Sequence, residues 1–263
     1  MDYTQFALFS DLDGTLFGPN RQVSPENLAA LAQFRAGGGL FGVSTGRSPV
    51  NLRDMLPPGI TNTWSVVLNG AMAYDFATGQ AALTQALAPM DSFVRWVLAA
   101  YPAVNVLLCT QNRMFLLSDP GRADPDFLAS HQPCVLGWPP AGEAWLKLLL
   151  SGPPQALAAI AARAVPADWV YSSPTYLEFL PQGVNKGRCL SALGQLPALK
   201  GRTIVAVGDW SNDLALLAAA DIPAAVANAL PEVQAMAKLH LPDCSQHAIA
   251  WLIGRVLPNL PPE

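Results

Sequence analysis

Two aspartates one residue apart, Asp11 and Asp13, follow the apolar run Phe6-Ala7-Leu8-Phe9-Ser10 and lead into Gly14 and Thr15. A short apolar run bounded in this way reads as a buried strand. A glycine just after it lets the backbone turn, leaving both carboxylates at the strand's carboxyl end. Open α/β sheets bind their ligands at that end. Two bare carboxylates at 4 Å repel by about 4 kcal/mol at an effective dielectric of 20. The pair therefore implies a cation, either a side chain or a bound ion.

Other predicted strand and helix ends also carry polar groups. Residues 40–44 read as a buried strand leading into Thr45-Gly46-Arg47, and residues 203–207 as another leading into Gly208-Asp209-Trp210-Ser211-Asn212-Asp213. Lys186, one of only four lysines, opens a predicted helix. In a doubly wound sheet these ends converge on one crevice. The set then holds a nucleophile, a hydroxyl donor, a fixed cation and a second carboxylate pair. Carboxylate and backbone carbonyl oxygens are hard ligands that suit Mg2+, with waters and a substrate phosphate completing its shell. Phosphoryl transfer needs this mixture, because positioning and charge neutralisation supply most of its catalysis.

The elements that would position these groups follow an α/β plan. Ser24-Pro25-Glu26 is a helix start, with Leu28, Leu31 and Ala32 as its apolar face and Gly37-Gly38-Gly39 as its stop. A second helix runs to about Leu56, and residues 64–68 form a third strand. Strand and helix alternate here as in a parallel, doubly wound sheet. The pattern then changes to a hairpin (71–74 and 81–84), a helix from Asp91, strands at 104–110 and 114–118, and a proline-interrupted stretch to about Gly142. Residues 145–150, a helix over 154–164 and strands at 170–173 and 176–180 complete this block. It reads as an inserted α+β domain spanning 74–181, with 1–73 and 182–263 forming the Rossmann-like core. Beyond Pro258 the tail reads as irregular.

Composition narrows the function classes. With 263 residues, 51% of them hydrophobic, the chain can bury one large core or two modest ones. A net charge of −4 without a basic run gives no nucleic-acid footprint. No apolar segment approaches membrane-span length, and the amino-terminal residues lack the positive region of a secretory signal, so a cytoplasmic location is expected. Cys109, Cys134, Cys189 and Cys244 are too scattered for a disulfide framework or a zinc knuckle and read as four buried thiols.

Three local patterns compete with this reading. Gly37-Gly38-Gly39-Leu40-Phe41-Gly42 matches the dinucleotide fingerprint but lies after a helix and before a strand, the reverse of what that motif requires. Asp11-x-Asp13-Gly14 resembles the start of a calcium loop, yet Leu16 and Gln22 stand where glycine and glutamate are needed. Gly42-Val43-Ser44-Thr45-Gly46 matches a nucleophile elbow, so a serine hydrolase using Ser44, with Asp119 or Asp209 and His240 or His247, is an alternative. A phosphometabolite-binding regulator that keeps the fold without turnover is another.

Asp11-Leu12-Asp13-Gly14-Thr15, Thr45-Gly46-Arg47, Gly183-Val184-Asn185-Lys186-Gly187 and Gly208-Asp209-x-x-Asn212-Asp213 resemble the four ordered motifs of the haloacid dehalogenase superfamily. Asn69-Gly70-Ala71 and Asn228-Ala229 resemble further marks of its Cof-type sugar-phosphatase branch, which carries a large α/β cap where the inserted block lies. The resemblance implies a magnesium-dependent phosphatase for small phosphorylated metabolites, sugar phosphates above all. It gives Asp11 the attack on phosphorus and Asp13 the protonation of the leaving alcohol and activation of water. Asp11, the Asp13 carbonyl and Asp209 would hold the metal, with Asn212 or Asp213 supporting. Thr45 and Lys186 would bind phosphoryl oxygens, and Gly46, Arg47 and Asn212 are also expected in substrate or phosphate binding. The cap would choose the substrate, and Glu178, just before the return linker, is expected to bond substrate hydroxyls.

Overall fold

The computed structural model describes residues 1–260. Five parallel strands form the central sheet, in the order Leu239–Leu241, Ile222–Val226, Thr203–Gly208, Phe6–Ser10 and Leu40–Val43. Phe6–Ser10 lies inside the sheet, and Ser10 sits opposite both Val207 and Val43. That register sets the turn after each of the three strands next to the others. All five residues of Phe6–Ser10 are buried, as expected for a strand covered on both faces.

The helix Pro25–Ala36 begins where the sequence places it, with Ser24 Oγ accepting the Asn27 N–H at 3.2 Å. Its buried stripe is Asn27, Leu31 and Phe34; Ala32 is exposed, because the larger Phe34 turns the helix toward the core. The second helix is a single turn, Pro49–Leu52, continued by irregular turns to Leu56. The third strand, Ser65–Val67, forms no ladder with the parallel sheet and meets it through a bridge from Ser44 to Val66 and the Val43 N–H donating to Ser65 Oγ at 3.2 Å. It pairs antiparallel with Met72–Asp75, which pairs with Gln80–Ala82. The reversal occurs at Leu68, Asn69 and Gly70, all with positive φ (52°, 53° and 96°). Strand pairing thus carries the first half's hydrogen bonding to Ala82, and Leu87 is tied to the inserted block by donating its N–H to Trp145 O at 2.7 Å.

The inserted cap is built on six strands in the order Asp168–Ser173, Tyr176–Leu180, Lys147–Ser151, Asn105–Cys109, Met114–Leu116 and Val135–Leu136. Helices Asp91–Ala100 and Pro154–Ala161 cover one face, packing Phe93, Val97, Leu157 and Ile160 on Leu108, Leu148, Leu150 and Phe179. Side chains alternate along a strand, so Leu107, Cys109, Lys147, Leu149 and Glu178 point the other way, toward the central sheet's carboxyl ends. Two elements appear in the stretch expected to be interrupted by prolines. Asp124 caps the helix Pro125–Ser130, with its proline in the first turn where that residue is tolerated, and Val135–Leu136 adds an edge strand. Leu239–Leu241 is a further edge strand that its three residues did not reveal.

The four cysteines are free; Cys109 and Cys189 are buried, whereas Cys134 and Cys244 are only half-buried. Among the described residues no helix is long and apolar enough to cross a membrane. Of the tail expected to be irregular, Leu257–Asn259 forms a short helical turn, and residues 261–263 lie outside the described residues.

Candidate active site

The carboxyl ends of Phe6–Ser10 and Thr203–Gly208 bring Asp11, Asp209 and Asp213 together, with one carboxylate oxygen from each within 4.8 Å of the others. Two glycines make the approach possible. A Cβ on Gly14 (φ 81°) would lie 2.5 Å from Asp209 Oδ2, and one on Gly208 would lie 2.5 Å from Asp213 Cβ. Asp213 also closes its own loop, since Oδ2 accepts the backbone N–H groups of Asp209 (3.0 Å) and Trp210 (3.2 Å). Thr15 Oγ1 donates to Asp209 Oδ1 at 2.8 Å.

Lys186 reaches this cluster from the first turn of the helix Lys186–Leu193, whose N-cap, Asn185, accepts the Arg188 N–H at 2.8 Å. Its Nζ is fully buried and donates to Asp11 Oδ1 and Asp213 Oδ1, both at 2.6 Å. Burial alone would lower its pKa, but the two carboxylates outweigh it and hold the ammonium above its usual range. Burial raises Asp11 well above the usual carboxylate range, opposed by Lys186 and reinforced by Asp213 and Asp209. Asp209 is pushed up to about 7, first by burial and then by Asp213. Three buried acids facing one lysine form an excess of negative charge. A divalent ion fits this set of hard oxygen donors and would offset the excess.

Asp13 is turned elsewhere. Its carboxylate is gripped bidentately by Arg47, Nε to Oδ2 at 2.6 Å and Nη2 to Oδ1 at 2.8 Å. Arg47 also donates to Asn51 Oδ1 (2.7 Å) and to the Ser130 carbonyl of the cap (3.2 Å). Asn51 Nδ2 donates to the Ser130 and Gln132 carbonyls at 3.0 Å each, and Arg21 donates to Ser130 Oγ at 2.5 Å. One turn of the cap is thus docked on the core beside Asp13 and Arg47. Thr45 is buried at the crevice, and its Oγ1 accepts the Arg47 N–H at 3.1 Å.

Glu178 lies in the crevice, but not as a free hydrogen-bonding group. It is 4% exposed, and its carboxylate accepts from Lys147 (2.6 Å), Asn69 Nδ2 (2.8 Å) and Ser172 Oγ (2.5 Å). Three of its roughly four lone-pair sites are used within the protein, which leaves one toward the cavity it lines. Lys147 also donates to the Gly46 carbonyl, so this cap lysine touches the Thr45-Gly46-Arg47 loop. Asn212 Nδ2 donates to Asn69 Oδ1 at 3.1 Å, linking the core loop to Glu178. Asp213 belongs to the acidic cluster, and Asn212 lines the cavity beside it.

A cavity of about 380 Å3 lies between the two halves, bordered by Asp11, Asp13, Thr45, Gly46, Arg47, Asp209 and Asn212 on the core side. That is the size of a small-molecule site. Ser44 is not part of it. Its Oγ is buried with no hydrogen-bond partner, while His240 pairs with Gln234 and His247 with Ser24. No base stands beside Ser44, and the serine-hydrolase alternative is thereby removed. Sequence reasoning missed Lys147, Asn69 and Thr15 as site residues. The signal for Lys147 was a rare lysine on the crevice-facing alternation of an apolar strand.

A family model described as haloacid dehalogenase-like hydrolase matches residues 8–253. An HMP-PP phosphatase of Cronobacter sakazakii is 28% identical over 256 residues, covering 91% of each chain. Among solved structures, a haloacid dehalogenase-like hydrolase from Bacteroides thetaiotaomicron superposes with a TM-score of 0.79 at 20% identity, over 95% of this chain and 99% of its own. A sugar phosphatase of HAD subclass IIB gives a TM-score of 0.80 at 16% identity, over 94% and 97%. These two likenesses speak to the fold.

Proposed function

The chain belongs to the haloacid dehalogenase-like hydrolase family, and on that premise we infer that it is a magnesium-dependent phosphatase acting on small phosphate monoesters through an aspartyl-phosphate on Asp11. The observation that carries this reading is the buried cluster of Asp11, Asp209 and Asp213 set against Lys186 alone. Mg2+ held by Asp11, the Asp13 carbonyl and Asp209 would neutralise the phosphoryl oxygens and help keep Asp11 ionised. Asp213 fixes the loop that carries Asp209 and shares Lys186 with Asp11, so removing it would disturb both partners.

Asp11 attacks phosphorus through its carboxylate oxygen, and the alcohol departs. Lys186, Thr45 and the Gly46 loop receive the phosphoryl oxygens. Once released from Arg47, Asp13 takes up the proton of the ester's phosphate monoanion and gives it to the leaving oxygen. It then takes one from the water that attacks phosphorus and frees inorganic phosphate and the Asp11 carboxylate. While Arg47 grips both its oxygens, Asp13 can only accept. The incoming phosphoryl group, itself a partner for the guanidinium fork, frees it for that work. The docked cap limits stray water and excludes a folded phosphoprotein or a duplex from the crevice.

The relatives' names point to small phosphorylated substrates, HMP-PP in one and a sugar phosphate in another. A phosphate-release assay over phosphorylated sugars, phosphorylated aromatic alcohols and a phosphopeptide tests the reading. Release from small esters that requires Mg2+ is expected. Faster release from the phosphopeptide would overturn the small-substrate reading, and release from no ester at all would favour the regulator reading.

A further inference from the structure

The cap side of the cavity differs in character from the core side, and nothing in the catalytic steps uses it. Its floor is Leu107, Met114 and Leu149, each no more than 2% exposed, with Cys109 beside them. One wall is aromatic. His131 stacks on Phe127 with ring centroids 4.4 Å apart and meets Tyr176 edge-on at 5.8 Å. His131 Nδ1 lies 2.8 Å from the Phe127 carbonyl, and burial pushes the imidazole down to about 4, so this wall is uncharged near neutral pH. A single ion pair, Lys147 with Glu178, is set beside this floor. The serines that also line the cap side are bonded within the protein, Ser130 to the Asp126 carbonyl, Ser172 to Glu178 and Ser173 to Thr175.

The register explains how that pair forms. Leu149 faces Leu107 on one neighbouring strand and Glu178 on the other, and Lys147 faces Cys109. Lys147 and Glu178 are therefore diagonal neighbours across two strands, within reach of long side chains. A lysine ammonium has three N–H donors. Lys147 spends one on Glu178 and one on the Gly46 carbonyl, which leaves a third at the cavity. Glu178, which also accepts from Ser172 and Asn69, holds the ammonium in place.

We propose that Lys147 is a specificity-determining residue, and that the site takes phosphate esters of a compact, flat alcohol bearing one hydrogen-bond acceptor, rather than polyhydroxylated sugars. The acceptor meets the third N–H of Lys147 while the ring lies on Leu107, Met114 and Leu149. A sugar in the same place buries several hydroxyls against leucine and methionine without partners, and a buried unpaired hydroxyl is costly. A site built around one hydrogen bond rejects an analogue that lacks the acceptor. This inference rests on the phosphatase reading, naming the alcohol that the phosphate is attached to.

Three esters separate the contributions: 3-pyridylmethyl phosphate (flat, one acceptor), benzyl phosphate (the same shape, no acceptor) and glucose 6-phosphate. The wild-type protein should turn over the pyridyl ester with a kcat/KM roughly tenfold or more above the benzyl ester, the scale of one hydrogen bond to a charged group, with glucose 6-phosphate below both. The paired substitution Lys147→Met with Glu178→Gln removes the donor without stranding a buried charge, and should collapse the pyridyl-to-benzyl ratio toward one. Dissociation constants of the same three esters for the Asp11→Asn protein read the preference without turnover. Binding in the expected order with no phosphate released by wild type would overturn the phosphatase reading alone. Glucose 6-phosphate preferred in binding and turnover, or a pyridyl-to-benzyl ratio unmoved by the paired substitution, would overturn the assignment of Lys147.

Discussion

The two faces of the crevice are built on opposite principles. The core face is charged at its centre: Asp11, Asp209, Asp213 and the Asp13–Arg47 pair stand on turns that follow parallel strands, and Lys186 enters from the first turn of the helix Lys186–Leu193. The cap face is leucine, methionine, rings and internally bonded serines around one ion pair. Its apolar floor and that pair lie on the cap sheet, and His131 lies at the C-terminal end of the helix Pro125–Ser130. A phosphoryl group is the same in every phosphate ester, so the face that handles it needs fixed charge and little variety. The alcohol differs from ester to ester, and discriminating it falls to shape and to a single well-placed donor. On the proposed function, chemistry and choice are held on separate sheets, joined where Lys147 touches Gly46, Asn69 touches Glu178 and Arg47 touches Ser130.

Damage to the core face should act on every substrate alike. Asp11→Asn is expected to lower kcat by about a thousandfold or more for each ester hydrolysed, since it removes the nucleophile itself. A substitution effect that varied strongly from ester to ester would blur the separation of the two faces.

A smaller effect comes from the charge excess on the core face. Asp209 titrates at about 7 in the folded protein against an ordinary 3.8. A carboxyl raised on folding contributes stability below its unfolded value and loses that contribution as pH rises through its folded value. The metal-free protein should therefore become less heat-stable between about pH 4 and pH 7 on account of this group. Mg2+, which binds the ionised form, should raise Tm more at about pH 8 than at about pH 5. An equal Mg2+ increment at both values would argue against a metal at this cluster.

The smallest effect is expected at Ser44, which lies beside the core face without belonging to it. Ser44→Ala removes a buried hydroxyl that has no partner. It should leave kcat within about twofold and stability unchanged or raised by up to about 1 kcal/mol. Loss of activity there would place catalysis on the wrong residue.

How legible each face was in the sequence follows from the same contrast. On the core face each functional group sits within a few residues of a strand end, so Asp11, Thr45, Lys186 and Asp209 stand out beside apolar runs. The return of the chain at Asn69 was less visible, because three consecutive positive-φ residues, Leu68 among them, were needed to turn Ser65–Val67 out of the parallel sheet. The helix at Pro125 and the edge strands were hidden by prolines and by their shortness. On the cap face Leu107, Lys147 and Glu178 come from three separate strands, and only their pairing register makes them neighbours. Glu178 was singled out from its place near the return linker. Its partners were not, and they make it the anchor of Lys147.

The account's central claim is the covalent step on Asp11. During steady turnover of a 32P-labelled ester with Mg2+, the protein is quenched in acid and mapped by peptide. The account predicts label on the peptide carrying Asp11, released by hydroxylamine as an acyl phosphate is, and absent from the Asp11→Asn protein. Label that resists hydroxylamine, or that maps to Ser44 or any residue other than Asp11, would contradict it.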